Sequence, residues 1–386
     1  MPARGATPQV WILLGPKQGD NAQLRALAQL LTWPCTEKQL VFNRLAALPN
    51  IFLGAGLHSS KNGASLLRPP WPDLVITIGR RGVPAARWVQ KQSGGRSKLV
   101  HLGRPWGPLH WFDLIVTTPQ YGLPKRENVL HNSLPISSQS KLSNQCSQRS
   151  SQTQHDCRDT AVWLDRFSTL PRPWIALLSG GTSRPYVFDK ETGTALGRAA
   201  SAFAQAQGGS LLLTAGRRCP AVSFTALSAA IKACGCPSYI HNPHNPHESG
   251  QDNPYAAYLA LADRFIVTSD SVSMAADACL SGKPVSVYEL PLHYDLRMRA
   301  ARWFRAQAME KQGNFGSLIR KLYAFLVEYG LLTSTRDERI FMEMLRKNGK
   351  IATLGEEGTS PERLCSNQQE LENTLARIRA LFTHTG

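Results

Sequence analysis

The first strong pattern is five consecutive apolar residues, Val10–Leu14. A glycine-containing turn follows at Gly15–Asp20, then Asn21–Leu31, where Leu24, Leu27, Ala28 and Leu31 recur at helical spacing. A short apolar run bounded by turn residues predicts a buried strand, and the three-to-four spacing predicts an amphipathic helix. The same grammar predicts strands at Lys38–Phe42, Leu74–Ile78, Lys98–Leu102 and Leu114–Thr117, with a helix around Val83–Gln92. It restarts at the strand Trp174–Leu178. From there it alternates helix Thr194–Gln207, strand Ser210–Thr214, helix Ser223–Ala233, strand Ser238–Ile240 and helix Pro254–Ala262. Strand Arg264–Thr268, helix Val272–Ser281 and strand Pro284–Tyr288 complete it. Strands alternating with helices predict α/β domains with parallel sheets covered on both faces. In such sheets the ligand crevice lies at the carboxyl ends of the strands.

The pattern divides the chain into four regions. Residues 1–136 and 166–300 are each expected to form a Rossmann-like domain. Residues 137–165 are expected to be a linker or inserted loop, because Ser137–Asp159 is rich in Ser and Gln and almost free of aliphatic residues. Residues 301–386 are expected to form a helical extension with a polar tail, the helices being Arg297–Gln307, Ser317–Glu328, Arg336–Lys347 and Gln368–Leu381. A weak internal similarity links the halves. Gly79-Arg80-Arg81 follows one strand and Gly216-Arg217-Arg218 another, each with Pro-Ala just beyond. Chance within common α/β grammar would also give this.

Composition narrows the class. Of 386 residues, 42% are hydrophobic and 18% charged, which excludes a disordered chain. No apolar run approaches the ~18 residues of a membrane-spanning helix, and Val10–Leu14 is too short for a signal-peptide core. The eight cysteines form no Cys-x-x-Cys pair and are read as reduced thiols in a cytoplasmic protein. The net charge is +17, of which +11 falls in residues 1–165. Such a surplus points to an anionic partner. No helix-turn-helix, RNP-like strand or zinc pattern accompanies it, so nucleic acid is not expected.

Several turns carry residue types suited to phosphate. Ser179-Gly180-Gly181-Thr182 follows a strand and offers backbone N–H groups and hydroxyls, but it is neither a Walker A loop nor a Gly-x-Gly-x-x-Gly fingerprint. Arg217 and Arg218 at a strand's end are suited to gripping a diphosphate bidentately. The run Thr268-Ser269-Asp270-Ser271-Val272-Ser273-Met274 opens a helix. Ser or Asp can cap that helix, or its N-terminus can hold an anion, with Asp277 one turn further in for ribose hydroxyls. In the first domain, Gly15, Lys17, Gly19, Asp20 and Asn21 form a glycine turn before a helix, and Gly79, Arg80 and Arg81 form another. Asp20 or Asn21 is a natural N-cap, and Asp20 is also the candidate general base. His241, His244 and His247 recur every third residue in a Pro-broken loop that does not promise zinc geometry, so no metal is expected. Trp33, Trp71, Trp88, Trp106 and Trp111 are expected as packing residues. Alternatively some of them, with Arg80, Arg81, Arg87, Arg96 and Arg104, rest on a membrane interface.

Together, Trp11–Asn21, Pro70–Arg81, His101-Leu102-Gly103-Arg104-Pro105, Thr117–Pro124 with Glu127-Asn128-Val129, and Thr268–Val285 resemble the mitochondrial-fission Elm family. That family includes a plant fission factor and many bacterial members assigned as glycosyltransferases. It is similar to enzymes of the GT-B fold, which implies two facing Rossmann-like domains with a cleft between them. The resemblance implies that the C-terminal domain holds a nucleotide-sugar and the basic N-terminal domain handles the acceptor. Gly180, Gly181 and Thr182, helped by Arg217, would then meet the diphosphate. Ser271, Ser273 and Met274 would line the donor pocket, and Asp277 would contact ribose where many relatives carry Glu. The expected protein is a cytoplasmic hexosyltransferase acting on an envelope or lipid-linked acceptor. The nucleotide-sugar is its substrate, it has no tightly bound cofactor, and it touches an anionic membrane peripherally. The rival expectation is a non-catalytic, membrane-associated adaptor of the Elm type.

Overall fold

A computed structural model describes residues 7–137, 160–245, 253–310, 314–332, 336–356 and 367–383. Residues 138–159 of the Ser/Gln stretch, and His247, Cys146, Cys157 and Cys365, lie outside the described residues.

The chain forms two units, each built on a six-stranded sheet whose pairs are all parallel. Unit 1 comprises Met1–Leu142, Leu296–Asp337 and Asn367–Gly386, and unit 2 comprises Ser143–Asp295 and Glu338–Ser366. Residues 301–386 therefore do not form a region of their own. Their helices are shared out, because their apolar faces complete two different cores.

In unit 1 the strands are β1 (Val10–Leu14), β2 (Cys35–Gln39), β3 (Leu74–Ile78), β4 (Lys98–Leu102), β5 (Leu114–Thr117) and β6 (Val129–His131), in the order β2-β1-β3-β4-β5-β6. Alternation along β1 divides the core in two. Val10, Ile12 and Leu14 face Leu24, Leu27 and Leu31 of helix α1 (Gln18–Leu31) and Leu371, Leu375 and Ile378 of the helix Gln368–Ala380. Trp11 and Leu13 face Val83, Ala86 and Val89 of helix α2 (Val83–Gln92), and Tyr323 and Val327 of the helix Asn314–Glu328. The latter helix and its neighbour Leu296–Glu310 pack together, with Phe304 and Tyr323 ring centroids 5.8 Å apart.

Strand β2 starts three residues before the expected Lys38–Phe42. It is an exposed edge strand of polar residues, where pairing with β1 outweighs hydrophobicity. The apolar residues that suggested the later start do other work, with Leu40 buried in the core and Phe42 bridging antiparallel to Ser60.

Unit 2 holds β7 (Trp174–Ser179), β8 (Ser210–Ala215), β9 (Ser238–Ile240), β10 (Arg264–Thr268), β11 (Val285–Tyr288) and β12 (Ala352–Thr353), in the order β12-β11-β10-β7-β8-β9. Both sheets reverse direction beside their first strand. The chain moves from β1 to β2 on one side and returns to β3 on the other, and it moves from β7 to β8 and returns to β10. Crevices form at such reversals. The two Gly-Arg-Arg turns are not equivalent under this scheme. Gly79–Arg81 follows β3, the returning strand, whereas Gly216–Arg218 follows β8, the outgoing one.

Candidate functional site

At the reversal in unit 2, the turn after β7 meets the turn after β10. The Gly180 N–H donates to Thr268 Oγ1 at 2.8 Å, and the Gly181 N–H donates to Asp270 Oδ2 at 2.8 Å. Thr268 Oγ1 in turn donates to Asp270 Oδ1 at 2.7 Å. The Thr182 N–H donates to the Arg218 carbonyl at 3.1 Å. All three amides that the sequence offered to a phosphate are thus taken within the protein.

The glycines have a packing reason. A Cβ on Gly180 would stand 2.4 Å from both Asp270 oxygens, and one on Gly181 would stand 2.3 Å from the Arg218 carbonyl carbon. Ser179 and Ser269 are likewise drawn into the scaffold. Both are buried, and Ser269 Oγ accepts the Leu290 N–H at 3.0 Å. Arg217 and Arg218 are exposed at the end of β8.

Asp270 ties these turns together, although the sequence marked it only as a helix cap. Burial raises its pKa above the usual 3.8, against the opposing pull of Thr268, the Gly181 amide and the Arg218 charge. The folded chain therefore holds this proton more tightly than the unfolded chain does. The resulting contribution to stability is complete below 3.8 and is lost as pH rises through the raised value. Asp270→Asn removes that loss. Relative to the parent, its urea midpoint should rise as pH climbs above 3.8. A difference that stays flat with pH would contradict the assignment.

The helix Val272–Leu280 begins at Ser271, whose side chain makes no capping bond. Its first-turn N–H groups therefore meet no side-chain cap, and the positive end of its dipole lies at the carboxyl end of β10. Ser271 is buried, Ser273 exposed and Met274 half-buried, with Met274 Cε 3.5 Å from where a Cβ on Gly216 would stand. One turn on, Asp277 Oδ2 accepts from the Tyr255 hydroxyl at 2.7 Å. Burial, and then the Asp277 charge, push the Tyr255 phenol well above its ordinary pKa, so it remains a donor that orients the carboxylate.

At the reversal in unit 1, α1 begins at Gln18 with Lys17 as N-cap, so Asp20 and Asn21 lie inside the first turn and cap nothing. Buried Asn21 clamps Gly15, accepting from its N–H and donating to its carbonyl, each at 2.9 Å. Gly19 is exposed on the helix, with open space around its Cβ position. Asp20 comes within 3.9 Å of Lys17 Nζ, and its Oδ2 lies 3.5 Å from where a Cβ on Gly79 would stand. Lys17, Asp20 and Gly79 are thus brought together. Arg80 is half-buried and donates to the Ala46 carbonyl at 3.1 Å, while Arg81 is exposed.

The remaining candidates separate. His241 is buried with Nδ1 3.3 Å from Thr214 Oγ1, and His244 packs edge-on to Phe224. No group of three or more His, Cys, Asp or Glu that could hold a metal occurs among the described residues. Trp33, Trp71, Trp88 and Trp111 are partly buried and pack against the unit 1 core. Arg104 is buried, stacked 4.2 Å from the Trp106 ring, and donates to the Val327 and Leu332 carbonyls at 3.3 and 3.1 Å. It closes the end of the helix Asn314–Glu328. Among the described residues, no helix is long and apolar enough to cross a membrane.

The family model described as mitochondrial fission ELM1 matches residues 18–322. The chain belongs to this family. Among its relatives, the uncharacterized protein RP120 of Rickettsia prowazekii (strain Madrid E) is 25% identical over 304 residues, 73% of this chain and 83% of that protein. Mitochondrial fission protein ELM1 of Arabidopsis thaliana is 26% identical over 235 residues, 56% of this chain and 51% of that relative, about half its length. Among solved structures, the chain is similar to a UDP-N-acetylglucosamine 2-epimerase from Rickettsia bellii. The identity is 11% and the TM-score 0.45, covering 98% of this chain and 97% of that one. It is also similar to a UDP-glucosyltransferase from Polygonum tinctorium, at 12% identity and TM-score 0.44, covering 97% of this chain and 99% of that one.

Proposed function

We propose that this member of the ELM1 family is a glycosyltransferase that takes a nucleotide-sugar in unit 2 and passes the sugar to an anionic or lipid-linked acceptor. The observation that carries this reading is the N-terminus of Val272–Leu280, uncapped by Ser271, with Asp277 one turn inside and oriented by Tyr255. The amides of Val272, Ser273 and Met274 suit a diphosphate, and Asp277 suits the ribose hydroxyls. The diphosphate subsite thereby moves from Gly180–Thr182 to this helix, with Arg217 and Arg218 at the end of β8 as further cations. In the transfer, a general base takes the proton of the acceptor hydroxyl and the acceptor oxygen bonds to the anomeric carbon. The bond from that carbon to the phosphate oxygen breaks, and the nucleoside diphosphate leaves with the electron pair. The nucleotide-sugar is the substrate, and no tightly bound cofactor or metal is invoked.

Isothermal titration with UDP-, GDP- and ADP-sugars tests the reading. One of them should bind, and Asp277→Ala should weaken it by about ten- to a hundredfold, the loss of a charged hydrogen bond. Asp277→Glu should retain most of the affinity. If no nucleotide-sugar binds, the reading fails. The engagement of all three Gly180–Thr182 amides would then favour the rival, a non-catalytic adaptor.

A further inference from the structure

Two apolar surfaces stay exposed in unit 1. One lies on the helices Leu296–Glu310 and Asn314–Glu328, where Trp303, Leu318, Leu322 and Phe325 face solvent. The other lies just after β2, in residues 41–53, where Phe52 is 76% exposed, Val41 and Leu45 47% each and Leu48 45%. The second is fastened to a candidate site. The Arg80 guanidinium holds the Ala46 carbonyl at 3.1 Å, and the Asn50 side chain bonds the Arg80 carbonyl at 2.9 Å and the Pro105 carbonyl at 2.8 Å. The segment and the turn Gly79–Arg81 therefore form one piece.

Charge says what covers it. Residues 38–112 contain eleven Lys and Arg and a single acidic residue, Asp73, whose Oδ2 accepts the Gln9 N–H at 2.9 Å. Arg44 within the segment and Arg81 beside it are exposed. The backbone here runs through a 3₁₀ turn at Arg44–Ala47 and a one-turn helix at Asn50–Leu53. Apolar tips spaced along such a short, irregular stretch, with Arg44 among them and Arg81 beside them, suit a fluid surface of diffuse negative charge.

We propose that residues 41–53 rest in the interface of an anionic lipid bilayer. Val41, Leu45, Leu48 and Phe52 enter the acyl boundary, and Arg44 and Arg81 meet the headgroups. The turn Gly79–Arg81 is then held at headgroup depth, where it meets amphiphiles already in the membrane. This inference does not depend on the nucleotide-sugar reading.

The test is sedimentation of the full chain with phosphatidylcholine vesicles, with and without about one quarter phosphatidylglycerol. The parent should sediment with the anionic vesicles and be released by salt. Leu45→Asn/Phe52→Asn should weaken partitioning by about tenfold or more, and Arg44→Glu should weaken it on anionic vesicles alone. All three side chains are exposed, so folding is not at stake, and circular dichroism checks it. Three outcomes overturn the proposal. The first is failure of the parent to sediment. The second is loss of binding only in Leu322→Asn/Phe325→Asn. The third is dimerisation abolished by Leu45→Asn/Phe52→Asn without lipid binding, which would make the partner a second copy.

Discussion

Unit 1 should lose stability steeply as the solution is acidified below pH 6.5, and His101→Leu should remove most of that loss. His101 sits on β4 opposite Thr77 of β3, fully buried, with its ring centroid 5.2 Å from that of Phe112. Burial drives its pKa from the ordinary 6.5 down to about 3, against a smaller opposing pull from the Arg104 backbone. The imidazole is therefore neutral in the fold, while in the unfolded chain it takes a proton below 6.5. The stability it permits is complete above 6.5 and drains away as pH falls toward 3. The slope is about 1.4 kcal/mol per pH unit, or roughly 5 kcal/mol across the window. Urea unfolding followed by tryptophan fluorescence at several pH values checks this. Leucine fills a similar volume and carries no proton, so an equally steep slope in His101→Leu would refute the account.

The second large effect is expected at Gly181. Gly181→Ala brings a methyl to 2.3 Å from the Arg218 carbonyl carbon and 2.5 Å from the Cys219 nitrogen, both backbone atoms that cannot swing aside. The turns after β7 and β8 must separate, which strains the bond from the Gly181 N–H to Asp270. A loss of about 3 kcal/mol in unit 2 is expected, the upper end of the overpacking range. Gly19→Ala is the matched control. It lies on a helix with open space around its Cβ position and should gain about 0.5–1 kcal/mol. Denaturant midpoints of the two variants should move in opposite directions. Equal midpoints would mean that the turn after β7 yields far more readily than its packing implies.

Much of the fold can be read from the sequence, because its strands are continuous apolar runs closed by turn residues. Leu74–Ile78, Lys98–Leu102, Leu114–Thr117 and the helix Val83–Gln92 occupy the residues their pattern predicts. Strands too short or too polar to carry a pattern do not show in this way. Val129–His131 and Ala352–Thr353 are recruited by neighbours already in place, and Cys35–Gln39 is held by its partner rather than by hydrophobicity. The site divides along a similar line. That the glycine turns close strands at their carboxyl ends follows from local grammar. What the turns bond to does not. The Gly180 and Thr268 partners are 88 residues apart, and those of Tyr255 and Asp277 are 22 apart. Only the pairing of β7 with β10 reveals that Asp270, within a run of caps, fastens the glycine turn.

The helix Gln368–Ala380 places Leu371, Leu375 and Ile378 in the core formed by Val10, Ile12 and Leu14, and Ser133 and Asn132 hold it through Glu370 and Thr374. Strand β1 thus waits for a segment that is made only after unit 2. While unit 2 is being synthesised, one face of the unit 1 sheet has α1 but lacks the rest of its cover, and part of its aliphatic surface lies open to chaperones or to other nascent chains. A unit begun before its neighbour is finished after it. A stop codon ahead of residue 368 would therefore damage unit 1, although it falls after unit 2.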